Sequence, residues 1–118
     1  MHWKRLSACP ETDLIPFVQE SADYVMEKSI YSACTDQGVE LLSQLRVTEA
    51  YIAGIDTDCC VLKTALDLFE RGIRPIVLTH FCASNGGPES HAAAITVLER
   101  NIGEPQIIKG DVLPDLET

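Results

Sequence analysis

At 118 residues, with 46% hydrophobic and 23% charged residues, the chain has room for one folded domain with a modest core and not for two. Its net charge of −9 excludes the ordinary nucleic-acid binder and the binder of anionic membranes, since both need a basic face. Five cysteines, an odd number with no C-x-x-C pair, argue against a secreted disulfide framework and for reduced thiols in the cytoplasm; no run is apolar enough to span a membrane, and no signal-peptide pattern heads the chain.

Residues 1–22 carry Pro10 and Pro16 and hold no sustained period, which predicts an irregular lead-in. Asp23 to Glu27 alternates weakly and predicts a short strand, followed by a loop from Lys28 to Ser32. Thr35 or Asp36 can cap a helix whose apolar face is Val39, Leu41, Leu42 and Leu45. A turn from Arg46 to Glu49 leads to a buried strand over Ala50–Gly54. Cys60 to Arg71 reads as the best helix of the chain: Val61, Leu62, Ala65, Leu66, Leu68 and Phe69 form a wide apolar stripe, and Gly72 stands where a C-cap belongs. Pro75 to Phe81 is a second buried strand, Ala83 to Pro88 a loop with Gly86-Gly87, and Glu89 to Arg100 a third helix with Gly103 beyond its end. Gln106 to Ile108 is a short last strand, and Lys109 to Thr118 an acidic tail. Strands alternating with helices at this spacing imply a parallel sheet in an α/β layered fold.

The chemistry concentrates at Tyr51–Ala65. An apolar run passes through Gly54 and the small polar residues Asp56, Thr57 and Asp58 into a helix that opens with Cys60. Strand, tight turn and helix with a thiol at its first turn make a nucleophile elbow in outline. A helix N-terminus offers unpaired N–H groups and the positive end of the dipole, which favour a thiolate over a thiol and can hold an oxyanion as a carbonyl is attacked. The plainer reading of Cys60 is a small buried hydrophobe. Cys59, next to it, is expected to point into the core, and His91, on a helix beside alanines, to be a surface or packing residue.

Gly54-Ile55-Asp56-Thr57-x-x-Cys60-Val61-x-x-Thr64-Ala65 resembles the nucleophile segment of the isochorismatase-like cysteine hydrolases, a superfamily that includes nicotinamidases, N-carbamoyl amidohydrolases and isochorismatases; the resemblance runs from about Asp23 to about Ile108. It implies a three-layer α/β/α sandwich with a mainly parallel sheet, and hydrolysis of a small amide or carbamoyl substrate by an aspartate, a lysine and a cysteine. Matched residue by residue, Cys60 falls on the nucleophile and Lys28 on the lysine, because Glu27-Lys28-Ser29-Ile30-Tyr31-Ser32-Ala33 resembles the family's lysine segment. The resemblance further implies a cis peptide bond between Ile55 and Asp56, oxyanion donors in the backbone N–H groups of Asp56 and Cys60, and a pocket in which Tyr31, Thr57 and His80 are candidates. No cofactor is implied. The expected partners are a small-molecule substrate and other copies of the chain, with neither nucleic acid nor membrane.

The sequence departs from the family's pattern in two places. The family's aspartate ends an apolar first strand upstream of the lysine, and nothing before Lys28 reads as such a strand; Asp13 lies in a loop-like context. The chain therefore reads as a member lacking the N-terminal third of the domain, with the nicotinamidase metal site, so no metal is expected. A sheet without that strand has unpaired edges, from which self-association is expected. His80 stands where an acidic residue is more usual at the end of the next strand. It invites a Cys–His pair with Cys60, although a histidine hydrogen-bonded at a strand end is the preferred role. A zinc site from His80, Cys82 and Cys60 has no ligand spacing behind it. Two rivals stand beside the hydrolase reading: a catalytically impaired, oligomeric binding module, and a thiol redox role for Cys60 with Cys59 or Cys82.

Overall fold

The computed structural model describes residues 22–110. Asp13, with the rest of the lead-in to residue 21, and the tail from residue 111 lie outside the described residues. The chain divides between Ile30 and Tyr31 into two compact units.

In the first unit, residues 22–30 form no strand. The strand expected at Asp23–Glu27 is absent because strands exist by pairing, and the only sheet among the described residues consists of three strands further along the chain. Tyr24 and Val25 are both about half exposed or more, at 58% and 49%, so the weak alternation there buries no face.

The second unit opens with α1, Asp36–Gln44. Thr35 caps it, its hydroxyl accepting the Gly38 N–H at 3.0 Å. The helix ends in a Schellman turn: the N–H of Arg46 donates to the carbonyl of Ser43 and that of Val47 to Leu42, with Arg46 in the left-handed region at φ 54°. Strand β1, Glu49–Ile55, follows. It was expected to be buried throughout, but only Ile52 is; the strand alternates, one face toward the core and one open.

A π turn over Thr57–Val61 runs directly into α2, Leu62–Glu70. Helix α2 closes with a second Schellman turn, here with Gly72 as the left-handed residue at φ 79°. Strand β2, Arg74–Ala83, lies parallel to β1 with Ile52 opposite Val77. The register then jumps, so that Gly54 faces Cys82 and the stretch Leu78–Phe81 stands opposite Ala53 alone. Helix α3, Pro88–Ile102, is two residues longer at its C-terminal end than its periodicity predicts, with Pro88 in the first turn where its missing N–H costs nothing. Gln106 closes a 3₁₀ turn, and β3 is the pair Ile107–Ile108, parallel to β2.

The sheet order β1-β2-β3, all parallel with helical crossovers, is that of an α/β fold. Helices α2 and α3 pack on each other and on β2. Ile52, Val61, Ala65, Leu68, Val77, Leu98, Ile102 and Ile107 form one core, with Leu42 of α1 and Cys34 against its edge. Ile76 and Leu78 point to the other face of β2 and are buried as well, so β2 is covered on both sides, as an inner strand of a layered parallel sheet must be. None of the described helices is long and apolar enough to cross a membrane.

Candidate active site

The elbow forms at the carboxyl end of β1, the end at which α/β sheets present their ligand sites. The Ile55–Asp56 peptide bond is cis. Asp56 then starts the π turn, and its carbonyl accepts two N–H groups, from Cys59 at 3.2 Å and from Val61 at 3.1 Å. Cys60 lies between those two donors. The helix thus begins three residues earlier than the apolar stripe suggests, and the thiol stands inside a widened turn; such π turns recur at functional sites.

Three consecutive residues of the elbow reach across to the segment that follows β2. An Asp56 carboxylate oxygen accepts the Asn85 N–H at 2.8 Å. Thr57 is fully buried, and its Oγ1 lies 2.7 Å from His91 Nδ1, the imidazole tautomer deciding which of the two donates. The Ser84 hydroxyl donates to Asp58 Oδ1 at 2.7 Å. The loop Ala83–Pro88 is therefore tied to the elbow through Ser84 and Asn85, and helix α3 beyond it through His91. His91 is neither a free surface residue nor mere packing. It satisfies a buried hydroxyl 34 positions upstream, a role that no local pattern signals.

Cys59 does not join the core as expected. Burial pushes its thiol up from the ordinary value, and the carboxylates of Asp58 and Asp56 and the neighbouring Cys60 push it further. Burial likewise raises the Cys82 thiol against the opposing Gly54 backbone hydrogen bond, and Cys82 Sγ donates to the Leu78 carbonyl at 3.3 Å within the bulge of β2. His80 is exposed on that bulge. Among the described residues no three-donor group includes His80, Cys82 and Cys60, so the zinc arrangement does not form; the one group whose ligand atoms converge, within 4.8 Å, is Asp56, Asp58 and Cys59, and both carboxylates in it already serve the loop. Among the described residues no disulfide joins Cys34, Cys59, Cys60 or Cys82 to another.

Lys28 belongs to the first unit, where its Nζ donates to the Ile30 carbonyl at 2.8 Å. Tyr31 begins the second and is partly exposed. A cavity of about 320 Å³ lies elsewhere, at the amino end of β2 between Phe69, Ile73, Pro75 and Ile102. Its polar rim is internally satisfied: Arg74 donates to Gln106 and to Glu49, and Gln106 donates to the Pro75 carbonyl.

Comparison with known proteins places this geometry. The isochorismatase domain model matches residues 5–107, beginning well inside the stretch that reads as an irregular lead-in. The isochorismatase family protein PncA of Bacillus subtilis is 38% identical over 95 residues, covering 76% of this chain and 51% of the relative. The crystal structure of nicotinamidase PncA from Bacillus subtilis aligns with a TM-score of 0.63 at 36% identity, over 74% of this chain and 49% of that one. An isochorismatase-like hydrolase from Alkaliphilus metalliredigens, at 22% identity, shares the fold with a TM-score of 0.71 over 81% of this chain and 52% of its own. The chain spans about half the length of the relatives it matches.

Proposed function

Because this chain belongs to the isochorismatase family, we propose that it hydrolyses the C–N bond of a small amide or carbamoyl compound through Cys60. The observation that supports this most directly is the setting of Cys60: a π turn at the carboxyl end of β1, tied to the following loop. In the proposed reaction Cys60 Sγ, as thiolate, attacks the carbonyl carbon and a C–S bond forms. The carbonyl oxygen takes up negative charge, held by the backbone N–H groups of Asp56 and Cys60. As the carbonyl re-forms, the C–N bond breaks and the nitrogen, taking up the proton that the thiol gave up on forming the thiolate, leaves as ammonia or an amine. Water then cleaves the thioester and returns the thiol. Lys28 carries the family's lysine role by sequence match alone. Thr57, being fully buried, serves this scheme by holding the turn and not by touching substrate.

The relatives named as nicotinamidases make a primary carboxamide on an aromatic ring the first substrate to try. Ammonia release from nicotinamide, and from an N-carbamoyl compound, is the assay. Trapping an acyl adduct on the Cys60 peptide by acid quench and mass spectrometry is its companion. Cys60→Ala is expected to abolish both signals. Turnover that survives Cys60→Ala, or an adduct confined to another cysteine, would overturn the proposal.

A further inference from the structure

The three ties between the elbow and the segment after β2 use adjacent residues, Asp56, Thr57 and Asp58, and end on Asn85, His91 and Ser84. They grip the first half of the π turn, and Cys60 is in its second half. A π turn holds one more residue than an α turn, and the ordinary α register would carry the Cys60 N–H to the Asp56 carbonyl, where the N–H groups of Cys59 and Val61 now donate. Relaxing to that register would rotate Cys60 about the helix axis relative to Asp56. Something must hold the wider turn, and the ties are placed to do so. The central one is the most demanding, since Thr57 is fully buried and its hydroxyl has no recourse to water.

We infer that His91, through Thr57, is a positioning residue for Cys60: it locks the π register of the elbow and so fixes where the thiol and its N–H point. Ser84 and Asn85 steady the same turn from its rim. For its functional consequence the inference rests on Cys60 being the nucleophile, but the geometry it asserts can be read without any substrate.

The test compares the native protein with His91→Ala, His91→Asn, His91→Gln and Ser84→Ala by two readouts. One is the rate of iodoacetamide labelling at Cys60, with Cys34 and Cys82 as internal references. The other is hydrogen exchange at the Val61 and Asn85 amides, which report the π turn and the loop tie. His91→Asn keeps a hydrogen-bonding group where Nδ1 stood. The expected result for His91→Ala is a fall in Cys60 labelling of about tenfold relative to the references, with faster exchange at Val61 and Asn85, on the scale of losing one buried hydrogen bond. His91→Asn is expected to restore most of both. Ser84→Ala, a milder change that keeps the buried pair, is expected to lower Cys60 labelling by about twofold to threefold and to speed exchange at Asn85; His91→Gln, whose amide stands nearer the place of Nε2 than of Nδ1, is expected to follow His91→Ala and decides the matter if His91→Ala does not fold. Unchanged Cys60 labelling and unchanged Val61 exchange in His91→Ala would overturn the inference, as would equal effects on all the thiols or failure of His91→Asn to rescue. If native Cys60 labels no faster than Cys34, the hydrolase reading fails, and the exchange rates still decide whether His91 holds the turn.

Discussion

Ala33 donates its N–H to the Thr64 hydroxyl at 2.9 Å, and Thr64 stands one helical turn beyond Cys60. This bond fastens the segment that enters α1 to the helix carrying the thiol. Its removal should therefore be felt in stability. Thr64→Val leaves the Ala33 N–H without its acceptor in a partly buried place and is expected to cost about 1–3 kcal/mol, whereas Thr64→Ser keeps the hydroxyl and should cost well under that. Urea unfolding of the two variants measures the difference; equal losses would mean that the hydroxyl is not the part that matters.

Leu98 lies at the centre of the core with no exposed surface, while Val97, beside it on α3, is 42% exposed. Leu98→Ala is expected to destabilise by about 2–5 kcal/mol, the usual cost of truncating a buried leucine. Val97→Ala should stay within about 0.5 kcal/mol. Denaturant midpoints read both.

Much of this architecture was legible before any coordinates. The apolar stripe of α2 buries Ala65 and Leu68, although Phe69 at its end is half exposed, the run Ile76–Thr79 is buried on both faces of β2, and Gly72 marks the end of α2 because only glycine takes φ 79° without strain. What was not legible depends on distant partners. Asp23–Glu27 looks like a strand locally, but a strand is defined by a neighbour that local pattern does not supply. The π turn carries no residue signature, so its start at Thr57 could not be told from a helix beginning at Cys60. The bulge that leaves His80 exposed arises from a register jump between two strands. The Thr57–His91 pair joins residues with no common motif, and the cis bond at Ile55–Asp56 was nameable only through the family resemblance.

The two Schellman turns differ at the left-handed position, and that difference is testable. Gly72 sits in the left-handed region without cost, but Arg46 occupies the same position after α1 at φ 54°. A side chain there is strained by about 1–2 kcal/mol, partly offset by the entropy a glycine loses on folding. Arg46→Gly is expected to stabilise the protein by roughly 0.5–1 kcal/mol, read as a higher denaturation midpoint. A lower midpoint would mean that the exposed arginine makes up for its backbone.

Asp67 gives a pH signature. Burial raises its carboxyl, but hydrogen bonds from Lys63 and Ser32 and the charges of Lys63 and Arg71 outweigh that, and the net shift is downward. Its Lys63 partner is shifted up, in agreement that the charged pair is favoured. A carboxyl whose folded value is depressed contributes stability above its unfolded value of about 3.9 and loses that contribution as the pH falls through the folded value. Asp67→Asn is therefore expected to lower stability at neutral pH and to flatten its decline below about pH 4. Parallel curves for the two proteins would contradict this assignment.

Cys59 should respond to its neighbour's charge. Asp58→Asn keeps an oxygen to accept the Ser84 hydroxyl and removes only the negative charge that helps to hold the Cys59 thiol protonated. Labelling of Cys59 at about pH 8, just under the ordinary thiol value of about 8.5, is expected to quicken in the variant. An unchanged rate would remove Asp58 from the causes and leave burial, Asp56 and Cys60.

If the elbow makes Cys60 a nucleophile, competitive alkylation reads it without any substrate. The native protein is exposed to iodoacetamide at about pH 6 to pH 9, spanning the ordinary thiol value of about 8.5, and labelling is mapped at Cys34, Cys59, Cys60 and Cys82. Cys60 is expected to label fastest of the four, and Cys59 and Cys82, whose thiols burial raises, to lag most at the acidic end. Cys60 inert, or indistinguishable from the other three, would contradict it.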